Sequence, residues 1–195
     1  MKRLAALLFP FLIVVMAHCQ VITYENFKEV IPFMQKQDFK AAFEHTGKLL
    51  GSTQNDSSDF RGIVTYMNIL SAAGMVSLGQ MTHDAFKKNA QQYIGQTLVM
   101  SAHPCIDSAA NGSNSLKFVM RDGSLQGETI TLNARHTSIL CFEYYTFANR
   151  PDVAGFIGKM VRMGGRLESI EVNPNHSIIW ISRLHIADAF ARVVE

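Results

Sequence analysis

Residues 138–147 read SILCFEYYTF. The run is rich in aromatic side chains and free of glycine and proline, which favours a pleated strand. Successive side chains of a strand point to opposite faces, so Phe142 and Tyr144 share one side and Tyr145 and Phe147 the other. One pair is expected to fill an interior, and the other to be exposed or to lie against helices. Working outward, the same period-two patterning recurs at 93–100, 116–121, 128–133, 159–170 and 177–184. Asp122-Gly123 reads as a turn between two of these strands, and Pro174-Asn175 reads as another. Gly158 and Gly164-Gly165 mark turns or bends in the sheet. Val153–Phe156 is predicted as a short helical segment and Ile186–Val194 as a final short helix.

Upstream of residue 93 the period changes. Tyr24, Phe27, Val30, Ile31 and Met34 fall at three- and four-residue steps and give one apolar helix face, which Pro32 interrupts or bends. Phe39, Ala42, Phe43, Thr46 and Leu49-Leu50 repeat the spacing, with an exit around 51–55. Asp56, Ser57 or Ser58 caps a third segment that runs through Phe60, Ile63, Val64, Met67, Leu70 and Val76 to Gly79. It is apolar over much of its circumference, as a central, covered helix is. A short fourth helix is predicted from Thr82 to about Gln92.

The first nineteen residues stand apart. Lys2-Arg3 precedes an apolar run from Leu4 to Ala17, and Ala17-His18-Cys19 offers a small-x-small exit before Gln20. This is the pattern of a secretory leader, and the run is shorter than the ~20 residues of a membrane-spanning helix. The mature chain is therefore expected to begin at Gln20 and to be exported, periplasmic or secreted. Acylation of Cys19, which would leave a lipid anchor, is the alternative; His18 is a poor residue ahead of a lipidated cysteine.

Removing Lys2 and Arg3 leaves sixteen basic against sixteen acidic residues, and the stretch from Thr97 onward carries nine of each. A chain without basic excess is poorly suited to neutralising phosphates, which argues against a nucleic-acid partner. A hydrophobic content of 48% with 17% charged residues describes a folded chain rather than a disordered one. Cys105 and Cys141 remain after cleavage. In an oxidising compartment they are candidates for one disulfide, and two separate buried thiols are the other possibility.

The strings YIGQTLVM (93–100), ITLNARHTSILCFEYY (130–145), VAGFIGKMVRMGGRLESIEV (153–172) and SIIWISRLHI (177–186) follow the strand order of an OB-fold. They resemble the tRNA-anticodon-like OB domains of exported bacterial proteins, through Tyr93 and Gly95, Leu140-Cys141-Phe142, and Gly158, Val161, Met163 and Gly165. Gln96 departs from the lysine usual there, and an extra segment lies at about 102–126. The helical front resembles helix-pair packing of the tetratricopeptide kind, without that family's repeat signature. The resemblance implies an α+β chain: a leader at 1–19, helical hairpins at 20–92, and a five-stranded OB-like β-barrel at 93–195. It also implies an adaptor that binds a peptide, glycan or other envelope partner.

OB-folds bind on a sheet face, which makes Tyr144 and Tyr145 candidate ligand-binding residues, with Arg162 and Arg166 lining a nearby groove. Oligonucleotide binding is an alternative carried by the family name alone. A hydrolase or thiol enzyme using His103, Asp107, His136 and Cys141 is another, since a cysteine beside a base can form an activated pair. Cys141 sits within an apolar strand, where thiols are usually buried and inert. His103, Cys105 and Asp107 lack the second ligand pair of a structural zinc site. No residue pattern implies a cofactor, a metal or a catalytic set. His45, His83, His176 and His185 are scattered, and Trp180 reads as a packing residue.

Overall fold

The computed structural model describes residues 21–53, 56–110 and 114–194. The proposed leader and Cys19 lie outside the described residues. Four helices precede six strands: α1 (Tyr24–Gln35), α2 (Phe39–Ser52), α3 (Asp59–Ser77), α4 (His83–Gln91), β1 (Thr97–Pro104), β2 (Lys117–Arg121), β3 (Ser124–Leu132), β4 (Ile139–Thr146), β5 (Met160–Val172) and β6 (Trp180–Val193). The chain is α+β, with its helices N-terminal.

Local chemistry starts each helix. Thr23, Asp38, Ser58 and Thr82 are the N-caps, and each side chain accepts a backbone N–H three residues on. These bonds satisfy donors that the first helical turn otherwise leaves unpaired. Pro32 lies inside α1, and the helix closes within the next turn. Gly79 follows α3 with φ of +69°, a conformation glycine adopts without strain.

The strands form one sheet in the order β1-β5-β6-β4-β3-β2. All neighbours are antiparallel except β4 and β6, which are parallel because β6 returns from its hairpin with β5 and inserts beside β4. The expected five-stranded barrel is replaced by a six-stranded sheet that is not closed. Its edges, β1 and β2, approach at one point, where Cys105 and Leu116 form an isolated bridge: Ile106 N–H donates to the Leu116 carbonyl and Leu116 N–H to the Pro104 carbonyl, each at 3.0 Å. Part of the extra segment at 102–126 accounts for the sixth strand: β2 and β3 are joined by Asp122-Gly123, with φ of +49° and +78°, the left-handed pair of a tight hairpin turn.

Two expectations fail for identifiable reasons. Residues 186–193 are strand, not helix. Helix-forming alanines at 187, 189 and 191 are overridden by pairing with β5, from Leu167↔Ile186 to Val161↔Val193. Val153–Phe156 forms successive turns rather than a helix, closed by Phe156 N–H to the Val153 carbonyl at 3.0 Å.

β5 carries two register shifts, at Gly164/Arg166 and at Leu167/Ser169. Extra residues bend a strand and increase its twist. At Gly164 a Cβ would lie 2.3 Å from the Phe190 ring and 2.7 Å from the Leu98 carbonyl oxygen, so the sheet can curl there only with glycine. The helices cover the inner face. One hydrophobic cluster joins Phe39, Ile69 and Phe86 from the helices to Leu98, Met163, Leu167 and Leu184 from the sheet.

Candidate functional site

The alternation of β4 divides its side chains between two environments. Cys141, Glu143 and Tyr145 turn toward the helices and are fully buried, while Phe142 and Tyr144 are half-buried on the opposite face. The outer face holds the candidate site.

Tyr144 lies beside His185 of β6, its register partner, with ring centroids 5.3 Å apart and planes 25° apart. Phe142 lies 6.4 Å from Tyr144 along the strand and 6.3 Å from Trp180. The Arg183 guanidinium sits 4.4 Å from the Trp180 ring centroid and 5.9 Å from that of Phe142, within the range of a cation–π contact. Its Nη1 donates to both carboxylate oxygens of Glu171, at 2.9 and 3.1 Å. Its Nε is buried and finds no hydrogen-bond partner among the described residues. Burial raises the Tyr144 phenol pKa, against the lowering influence of Arg183.

Tyr144, Arg183 and His185 line an open groove of about 340 Å³, with Arg121, Gln126, Glu168 and Glu171 on its other sides; Phe142 and Trp180 lie beside it. Glu168 reaches it because it is the residue left over at the second register shift of β5. Arg121 pairs with Glu128. The groove therefore combines flat rings with hydrogen-bonding groups of both charges.

Of the four residues expected to bind a ligand, the structure brings only Tyr144 into this groove. Tyr145 is a core residue with no exposed surface: its strand position faces the helices, and its hydroxyl lies 3.1 Å from Thr129 Oγ1. Arg166 is exposed and paired with Asp188. Arg162 sits farther along β5, opposite Ala102 and Arg192. Arg183 and His185 stand in their place. The period-two pattern was visible in the sequence around both, but only the parallel register of β4 and β6 sets them beside Phe142 and Tyr144.

The inner face contains a polar cluster that the sequence did not advertise. Glu143 Oε1 accepts from Tyr66 Oη at 2.8 Å and Thr131 Oγ1 at 2.9 Å, and Oε2 accepts from Thr129 Oγ1 at 2.9 Å. Burial raises the carboxyl pKa to about 7, although all three hydrogen bonds act to lower it. The same burial holds the phenols of Tyr66 and Tyr145 well above their usual range.

The residues of the alternative enzyme reading occupy separate elements. His103 of β1 is buried, its Nδ1 lies 3.2 Å from the Asn114 carbonyl oxygen, and burial lowers its pKa. Asp107 is exposed and accepts from Ala109 N–H. His136 is exposed in the β3–β4 turn with φ of +56°. Cys141 accepts from Ser182 Oγ at 3.3 Å, and burial pushes its thiol pKa well up, the opposite of what a nucleophilic thiol needs. Cys105 and Cys141 are both free and buried. They belong to β4 and to the end of β1, with β5 and β6 between those strands, so the candidate disulfide is not formed.

Among the described residues no group of three or more His, Cys, Asp or Glu side chains could hold a metal ion. None of their helices is long and apolar enough to cross a membrane. Compared with known proteins, the chain matches no family model, no curated protein and no solved structure.

Proposed function

We propose that this chain is an exported binding module that recognises a peptide or glycan of the cell envelope through the outer face of its sheet. The observation that carries the reading is the cluster of Tyr144, His185 and Arg183 in a solvent-facing groove. Rings exposed on a rigid strand offer flat apolar surface at little entropic cost, and tyrosine and arginine are frequent anchors of recognition surfaces. Glu168, Glu171 and Gln126 add acceptors and donors suited to hydroxyls or amides. The leader-like pattern of residues 1–19 supports export.

The likeness to OB domains supports the same use of a sheet face. The nearly meeting edges at Cys105 and Leu116 are the feature most in keeping with a barrel. Oligonucleotides are disfavoured, because the carboxylates of Asp122, Glu168 and Glu171 line the groove beside its two arginines and would repel phosphates.

The test is binding of the chain from Gln20 onward to peptide and glycan arrays, repeated with Tyr144→Ala. A ligand from either class whose affinity falls about tenfold or more, equivalent to about 1.4 kcal/mol, supports the groove. Ligands bound equally by both chains would place recognition elsewhere.

A further inference from the structure

Arg183 shows how this face of the sheet holds a cation. Its guanidinium lies over the Trp180 ring, near Phe142, and donates to both carboxylate oxygens of Glu171, so rings and a carboxylate secure it together. Strand register repeats the arrangement one step along. Glu171 of β5, Arg183 of β6 and Phe142 of β4 form one row. Ser169, His185 and Tyr144 form the next, with Glu168 as the extra residue beside Ser169. The first row contains a carboxylate, a cation and a ring. The second contains a carboxylate and a ring, with an imidazole where the first has a guanidinium.

Charge divides in the same way. Among the groups lining the groove, Arg183 is paired with Glu171, and Arg121 is paired with Glu128. Glu168 is exposed and forms no ion pair among the described residues. Asp122 forms none among them either, and acts on Arg121 only at a distance. The groove therefore presents two carboxylates without a paired cation beside the stacked rings of Tyr144 and His185.

We propose that the occupant of this groove is a basic segment of a peptide or protein, with a lysine or arginine set against Glu168, an assignment that rests on the groove being the recognition surface. The aliphatic stem of such a side chain covers ring surface while its charged head reaches the carboxylate. Arginine adds a planar fork suited to Glu168, as Arg183 is to Glu171. An uncharged glycan would use the rings and leave Glu168 and Asp122 unanswered. An acidic peptide would be repelled by both.

The probes are labelled synthetic octapeptides of acidic, neutral and basic composition, and uncharged oligosaccharides. Each is titrated against the purified chain and against Tyr144→Ala, Glu168→Gln and Glu44→Gln, with circular dichroism to show that every variant is folded. Glu44 is an exposed carboxylate of α2 and reports the effect of net charge alone. Basic octapeptides are expected to bind most tightly. Tyr144→Ala should weaken them about tenfold and Glu168→Gln about threefold or more, while Glu44→Gln leaves them unchanged. Their affinity should also fall as added salt screens the carboxylates. Tyr144-dependent binding of neutral or acidic octapeptides or of oligosaccharides, untouched by Glu168→Gln, overturns the basic class and leaves the groove standing. Equal weakening by Glu168→Gln and Glu44→Gln means attraction to the chain as a whole and overturns it as well. If no probe depends on Tyr144, the groove falls as the recognition surface and the basic class falls with it.

Discussion

Tyr66 and Glu143, 77 positions apart in sequence, meet through a 2.8 Å hydrogen bond that ties the centre of α3 to β4 inside the core. Glu143 has no exposed surface, and every donor it finds is neutral. A hydrogen bond to a charged group contributes about 1.5–3 kcal/mol, and more is at stake when a buried partner is left unsatisfied. Tyr66→Phe is expected to lower unfolding free energy by about 2 kcal/mol at pH 8, where the carboxylate is charged. The loss should be smaller at pH 5. Urea denaturation at the two values checks this; equal losses would mean that the bond is indifferent to ionisation.

The raised pKa of Glu143 predicts a sloping stability curve. Folded, the carboxyl keeps its proton up to about pH 7; unfolded, it releases it near the ordinary value of 4.5. Between these values the folded state binds more protons, so stability is fully present below about 4.5 and is lost as pH rises through 7. The full loss is about 3 kcal/mol. Glu143→Gln should flatten this part of the curve and leave the variant more stable than the parent at pH 8. A parent chain equally stable at pH 5 and 8 would contradict the shift.

Tyr144 and Tyr145 are adjacent and should behave oppositely. Tyr145→Ala removes a fully buried ring from the core and is expected to cost about 3–5 kcal/mol. Tyr144→Ala, on the outer face, should cost about 1 kcal/mol and act mainly on ligand binding. Thermal melts of the two variants, read beside the array binding, separate the roles. Similar losses of stability would mean that Tyr144 is a packing residue.

Gly74 of α3 lies against the Phe39 ring of α2. A Cβ there would fall 2.3 Å from Cγ of Phe39. Alanine gains about 1 kcal/mol of helix propensity over glycine, whereas overpacking costs about 1–3 kcal/mol. Because the obstacle is a ring fixed in the core, the clash should win, and Gly74→Ala is expected to destabilise the chain. Phe39→Leu combined with Gly74→Ala should cost less than the sum of the single changes, and a double-mutant cycle measures that coupling.

The parts of the fold that were legible in the sequence are those with local causes. Thr82 begins its helix, and Ser58, one of three capping candidates at 56–58, begins α3, because a short hydroxyl side chain can accept an N–H from the first turn. Asp122-Gly123 turns because it tolerates left-handed backbone. The change from a helical to a period-two pattern near residue 93 divides the chain as observed, although Tyr93 itself falls in the turn before β1. The reading broke down at Ile186–Val193, where alanine-rich propensity suggested a helix and the long pairing with β5 imposed a strand.

The sequence by itself determined an α+β chain with its helices first, and the alternation that puts Tyr144 and Tyr145 on opposite faces, since periodicity is a property of neighbouring residues. Only the tertiary structure decided that the sheet stays open, that β6 runs parallel to β4 so that Arg183 and His185 join Phe142 and Tyr144, and that Tyr66 answers Glu143. Those outcomes depend on strand order and register, which are set by contacts between residues far apart in the chain and leave no trace in local spacing.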